Sequence, residues 1–245
     1  MAAGTWYDAR NDAMGGTGVA SSTWSSAVLA NPALMTRAQP DDNVGIIFPS
    51  AGLQITDKDK MVDKVDDISD TVDRYRGVIN GLTFRDYLNG YPQLKTASRD
   101  VANQLRDLRG NKANGTAGVA LAVTVPNETL PFAFITKAYG TVHLRANVAQ
   151  SDIAYLDGVA NGTVIPVPGD QNNLRSSANG LAALVTDYGI AVAHEFSVAG
   201  HPVSLGVTPK IQKTWLYNYT ASIYNYDKND LNGSRYRNDN TGFNV

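Results

Sequence analysis

FAFITKAYGTVHLRANVAQ, Phe132 to Gln150, sorts its side chains by position parity. The even positions read Phe132, Phe134, Thr136, Ala138, Gly140, Val142, Leu144, Ala146 and Val148; the odd ones include Lys137, Thr141, His143, Arg145 and Asn147. A period of two is the signature of a β-strand with one apolar and one wet face. The alternation runs well beyond the ~5–6 residues usual in soluble strands and past the ~9–11 tilted residues that cross a bilayer.

Three other stretches share the pattern. From Lys210 to Tyr226, Ile211, Trp215, Tyr217, Tyr219, Ala221 and Ile223 fall on one face, with Lys213 the exception, against Gln212, Thr214, Asn218, Thr220 and Ser222. Tyr188, Ile190, Val192, Phe196 and Val198 form a third apolar face, interrupted by His194. Val119, Leu121, Val123 and Val125 form a fourth. A shorter apolar run, Asn43 to Phe48, ends at Pro49 as a strand would, with a buried loop as the alternative, and Thr241 to Val245 reads as the opening of another strand.

Between these strands the period changes. Met61 or Val62, Val65, Ile68, Val72, Tyr75 and Ile79 recur at steps of three and four, with Asp63, Lys64, Asp66, Asp67, Asp70, Asp73 and Arg74 between them, predicting an amphipathic helix from Thr56 to about Asn80. A second helix is predicted over Thr96 to Arg109, ended by Gly110. Short joints at Pro126–Leu130 and Ala199–Pro202 alternate with long connections: the helical insertion, Ser151–Asn179 and Tyr226–Asn240. Short turns at one end and long loops at the other are the arrangement of outer-membrane barrels.

Composition agrees with strands and turns. Charged residues make up 18% of the 245, below the roughly 25% of soluble domains. Glu occurs only at Glu128 and Glu195, so the acidic residues are mostly Asp, which suits turns and caps. A net charge of −2 provides no field to gather nucleic acid, and no direct nucleic-acid binding is expected. The absence of Cys removes thiol catalysis, CxxC redox pairs and cysteine metal sites. No run approaches the ~20 apolar residues of a spanning helix, and Met1-Ala2-Ala3-Gly4 has no signal-peptide character, which suits a start after signal removal.

Chemistry is scarce. His143, His194 and His201 lack ligand spacing, so no metal is expected. Met14-Gly15-Gly16-Thr17-Gly18 lacks the lysine of a P-loop and the strand of a dinucleotide fingerprint. Asp8, Asp12 and the carboxylates from Asp63 to Asp73 have no identifiable acid–base partner. No catalytic set is assembled by spacing, and neither an enzyme nor a cofactor is expected. Lys137, His143 and Arg145 would face a barrel lumen, tuning passage or pairing with lumenal Asp residues.

Ala9-Arg10-Asn11-Asp12-Ala13-Met14-Gly15-Gly16-Thr17-Gly18-Val19-Ala20, followed by Asn31-Pro32-Ala33-Leu34-Met35, resembles the N-terminal segment of FadL-like outer-membrane proteins. The helical insertion, with Ser204-Leu205-Gly206-Val207-Thr208-Pro209-Lys210 running into Tyr217-Asn218-Tyr219-Thr220, is more similar to the conjugal transfer TraF group, distinct from the thioredoxin-like protein of the same name.

The resemblance implies a mainly β protein of the bacterial outer membrane: an antiparallel transmembrane β-barrel with a hatch-like N-terminal segment, residues 1–42, carrying the triplet Asn31, Pro32, Ala33. The barrel region would be residues 43–245, with the helical hairpin inserted at 56–110. The implied role is a channel or transport component linked to conjugation. The implied partners are membrane lipid or detergent, small hydrophobic solutes and other conjugation or envelope proteins. Two alternatives stay open: a surface or assembly protein anchored by the barrel, and a soluble β-sandwich module. Closing a barrel takes about eight strands; fewer are counted, so a truncated barrel whose edges pair between copies is expected.

Overall fold

The computed structural model describes residues 17–224 and 236–245. Met14-Gly15-Gly16, Asp8, Asp12 and most of the Tyr226–Asn240 connection lie outside the described residues. Seven strands form one antiparallel sheet: β1 (Gly45–Thr56), β2 (Lys112–Val125), β3 (Phe132–Asn147), β4 (Ser177–Val198), β5 (His201–Val207), β6 (Lys210–Ser222) and β7 (Arg237–Asn244). The order is β1-β2-β3-β4-β6-β7, with β5 also on β4. The 22-residue β4 pairs with β6 along Ser177–Gly189 and with β5 along Val192–Val198. β5 and β6 thus form one arm of a long hairpin, interrupted at Thr208-Pro209. The whole is a meander in which each arm pairs with its sequence neighbour.

The registers carry the parity of Phe132–Asn147 across the sheet. Val119 stands opposite Ala138, Phe134 opposite Ile190, Leu184 opposite Trp215, and Ile211 opposite Phe243, all on one apolar face. That face is not a core. Phe134 is 52% and Tyr188 60% exposed, near the middle of the sheet. Among the described residues no second sheet meets it, so the dry core between sheets that a β-sandwich requires is not formed.

The sheet is antiparallel, as expected, and open: the described strands do not close into a barrel. β1 and β7 end the strand order and are not paired with each other, and β5 is paired on one side only. β1 corrects the expectation that its strand stops at Pro49. The register shifts between Ile47 and Ser50, and the strand continues to Thr56. Proline cannot donate to the ladder, but on an edge strand at a bulge no ladder bond is lost.

Three helices gather at one end: α2 (Met61–Asn80), α4 (Pro92–Leu108) and α5 (Gln150–Asn161). Two short ones are α1 (Gly18–Ser21) and α3 (Phe84–Leu88). α2 begins five residues later than predicted, because the Asp57 carboxylate accepts from the first-turn N–H groups of Met61 (2.7 Å) and Val62 (3.0 Å), fixing the helix start. α4 begins earlier than predicted, with Pro92 in its first turn, where a missing N–H costs nothing. α5 lies inside the connection expected to be loop. Its Ile153, Leu156 and Val159 join Tyr75, Leu94, Val101 and Leu105 in the main hydrophobic cluster. No described helix is long and apolar enough to cross a membrane.

The remaining joints fall into two classes by end. The turns 126–131 and 199–200 are short. The connections β1–β2, β3–β4 and β6–β7 are long and emerge at the opposite end with the helices.

Candidate functional site

On the polar face, four small residues make room for another layer. Ala122, Ala133, Ala191 and Ala193 are buried beneath Ala27, Val28, Leu34 and Met35 of the N-terminal segment. Thr124 Oγ1 donates to the Ser25 carbonyl (2.9 Å), and the Thr36 and Ser204 hydroxyls are bonded to each other (2.8 Å).

Asn31, Pro32 and Ala33 form the docking turn of this segment. Asn31 Oδ1 accepts from Ala33 N (3.1 Å), capping the 3-10 turn Pro32–Arg37, and its Nδ2 donates to the Val19 carbonyl (2.9 Å). The turn lies so close to β5 that a Cβ on Gly206 would stand 2.3 Å from Ala33 N. The triplet thus joins the start of the chain to the sheet, and its geometry is structural rather than chemical.

Lys137, His143 and Arg145 all lie on this polar face of β3, at separate places. Lys137 stands opposite Asp187 in register, with its Nζ 5.2 Å from the Tyr139 ring centroid. Asp187 is buried, accepts from Gln212 Nε2 (2.8 Å) and pairs with Lys210 Nζ (3.5 Å). Burial of a carboxylate requires such partners. His143 Nδ1 bonds Asn114 Oδ1 at 2.7 Å. Arg145 lies towards the helical end, opposite Lys112. Asp187 was not singled out from sequence; its alternation with Tyr188 was the available signal, while its place opposite Lys137 follows only from the strand register.

The apolar face carries a second feature at the helical end. A cavity of about 390 Å³ opens between the first half of α2 and the sheet, walled by Met61, Val65, Leu108, Leu144, Tyr217 and Tyr219. Such a volume falls within the range of small-molecule pockets. Tyr217 and Tyr219, read from sequence as part of one strand's apolar face, thus also form one cavity wall. Among the described residues of the lining, Asp66, exposed at its edge, is the one carboxylate or cation. Met61, Val65 and Leu108 appeared in the sequence only as a helix stripe, because the sheet they meet lies far along the chain.

Among the described residues, neither place assembles a nucleophile, base and orienting group. His194 Nδ1 is bonded to the Thr129 carbonyl (2.6 Å), tying β4 to the turn between β2 and β3 and accounting for the break in that strand's apolar pattern. Among the described residues no group of three His, Asp or Glu is placed to hold a metal ion.

Comparison with known proteins places residues 28–245 within one family model, described as the F plasmid transfer operon protein TraF. No curated protein and no solved structure matches the chain.

Proposed function

The chain belongs to the family of the F plasmid transfer operon protein TraF, which links it to conjugal transfer, and from that premise we propose that it is a FadL-like outer-membrane β protein of a conjugation system. The observation that carries this reading is the meander. Its first four strands, of 12 to 22 residues, expose an apolar face that no second sheet covers among the described residues. In water, an apolar surface of that extent is a liability; against lipid it is the required surface. The polar opposite face, the N-terminal segment laid on it and the sorting of short and long connections to opposite ends support the same reading. In this reading the sheet is the wall of a barrel, residues 1–42 act as its hatch, and the cavity against α2 receives small hydrophobic solutes.

A second reading is favoured by the same N-terminal segment. Residues 27–35 cover part of the polar face through buried contacts, as suits an anchored assembly protein more than an open passage. Two measurements separate the readings. Expression behind a signal sequence is expected to place the chain in the outer-membrane fraction with heat-modifiable migration; a soluble monomer would sink both. Uptake of a fluorescent hydrophobic solute that rises when residues 1–42 are removed supports the channel, whereas unchanged uptake supports the anchor.

A further inference from the structure

We propose that Arg109, Lys112, Arg145 and Arg175 form a binding site for a phosphate-class oxyanion at the helical end of the sheet. Arg109 follows α4, Arg175 precedes β4, and both border one concavity of about 430 Å³ together with Arg145 of β3. Arg109 is held at the rim by its bond to Gln150 Oε1, beside the left-handed Gly110 (φ 78°). Lys112 of β2 stands directly opposite Arg145.

The register creates the need for an anion. Like charges directly opposite one another in an antiparallel pair repel, and here two more cations join them. None of the four forms an ion pair with a described residue. Asp152, seven residues after Arg145, is turned into the protein, accepting from Arg175 N (2.9 Å), Ser176 N (2.6 Å) and the Tyr224 hydroxyl (3.2 Å). It holds the backbone that presents Arg175 while the guanidinium stays exposed.

The residue types narrow the ligand. Guanidinium groups present paired N–H donors that match phosphate oxygens in bidentate fashion, and three of the four cations here are Arg. The shared chemistry is a phosphate monoester or diphosphate, whether a free ion or a lipid headgroup. Arg145 and Lys112 lie on the polar side of the sheet, whereas the apolar cavity opens on the other face, and the proposal does not rest on the solute reading.

The test is thermal unfolding of the full chain in non-ionic detergent with inorganic pyrophosphate, at low and high salt. Pyrophosphate is expected to raise Tm, more at low salt. Arg145→Gln and Arg175→Gln should each weaken its apparent affinity about tenfold; Arg74→Gln, at an exposed pair with Asp100 on the helices, should leave it unchanged. Without pyrophosphate, Arg145→Gln should unfold at or above the wild-type Tm, because a repulsion is removed. A second arm reconstitutes the chain in phosphatidylcholine nanodiscs with and without phosphatidic acid. A variant-sensitive response to pyrophosphate alone assigns a free anion, a variant-sensitive response to phosphatidic acid assigns a headgroup, and either supports the site. No response to both probes, or a response that both variants retain, overturns it.

Discussion

At Tyr75, burial and hydrogen bonding pull apart. The ring is fully buried in the cluster of α2, α4 and α5, yet its hydroxyl has no hydrogen-bond partner among the described residues. The neighbouring Tyr155 hydroxyl donates instead to Asp170 Oδ2 (2.8 Å). Burial, with a smaller contribution from the Asp170 charge and opposed by Tyr155, pushes the Tyr75 phenol up from 10.0 to about 12. The unfolded chain therefore loses this proton first as pH rises. The stability from the neutral phenol is complete below pH 10.0 and is lost as pH climbs to about 12, on the order of 2–3 kcal/mol in all. Tyr75→Phe removes an unsatisfied hydroxyl, so at pH 8 it should leave stability unchanged or raise it by about 1 kcal/mol. Across the alkaline window the variant should lose less stability than the wild type. Denaturant midpoints of both proteins, taken on either side of the window, check this; parallel losses would show that Tyr75 is not the group responsible.

Among the elements, the docked N-terminal segment is the most sensitive to single atoms. Gly206→Val would place side-chain atoms where the Ala33 and Pro32 backbone lies (2.3 and 2.6 Å from the Cβ position). It should cost about 1–3 kcal/mol and release the segment to protease. Gly242→Val, with nothing within 4 Å of its Cβ position, should do neither. Asn31→Ala removes the cap of the same turn and should cost about 1 kcal/mol. Cleavage between residues 17 and 42 under limited proteolysis reads out all three, and equal cleavage of the two glycine variants would remove the argument from close approach. Strand faces such as Phe132–Asn147 and helix stripes such as Ile68–Val72–Tyr75–Ile79 were legible in the sequence because each side chain's surroundings repeat with the local backbone period. α5 was obscured by Gly158 and Gly162 and the prolines after them, although Ile153, Leu156 and Val159 carry a helical spacing. The cavity wall and the cluster of Arg109, Arg145 and Arg175 had no local signal, because register and packing join residues from distant segments. Barrel closure was likewise beyond the periodicity, which fixes which side of a strand is apolar but not what its outer edge meets.

For the molecule as a whole, the two ends of the sheet differ in kind, and that difference predicts an orientation. The short turns at 126–131 and 199–200 carry no helix, whereas α2, α4 and α5 and the four-cation corner lie at the opposite end. In outer-membrane β proteins the short turns face the periplasm and the long connections the exterior. A chain without cysteine allows this to be read directly. Asp70→Cys on the exposed side of α2 and Asn127→Cys in the turn between β2 and β3 each introduce one thiol into a solvated position. With the proposed orientation, a membrane-impermeant maleimide added to intact cells labels Asp70→Cys and leaves Asn127→Cys unmodified until the outer membrane is permeabilised. The reverse pattern would invert the protein and place the phosphate-class site in the periplasm. Equal labelling of both sites only after permeabilisation would mean that the sheet does not span the membrane, and its apolar face must then be covered by another protein surface rather than by lipid.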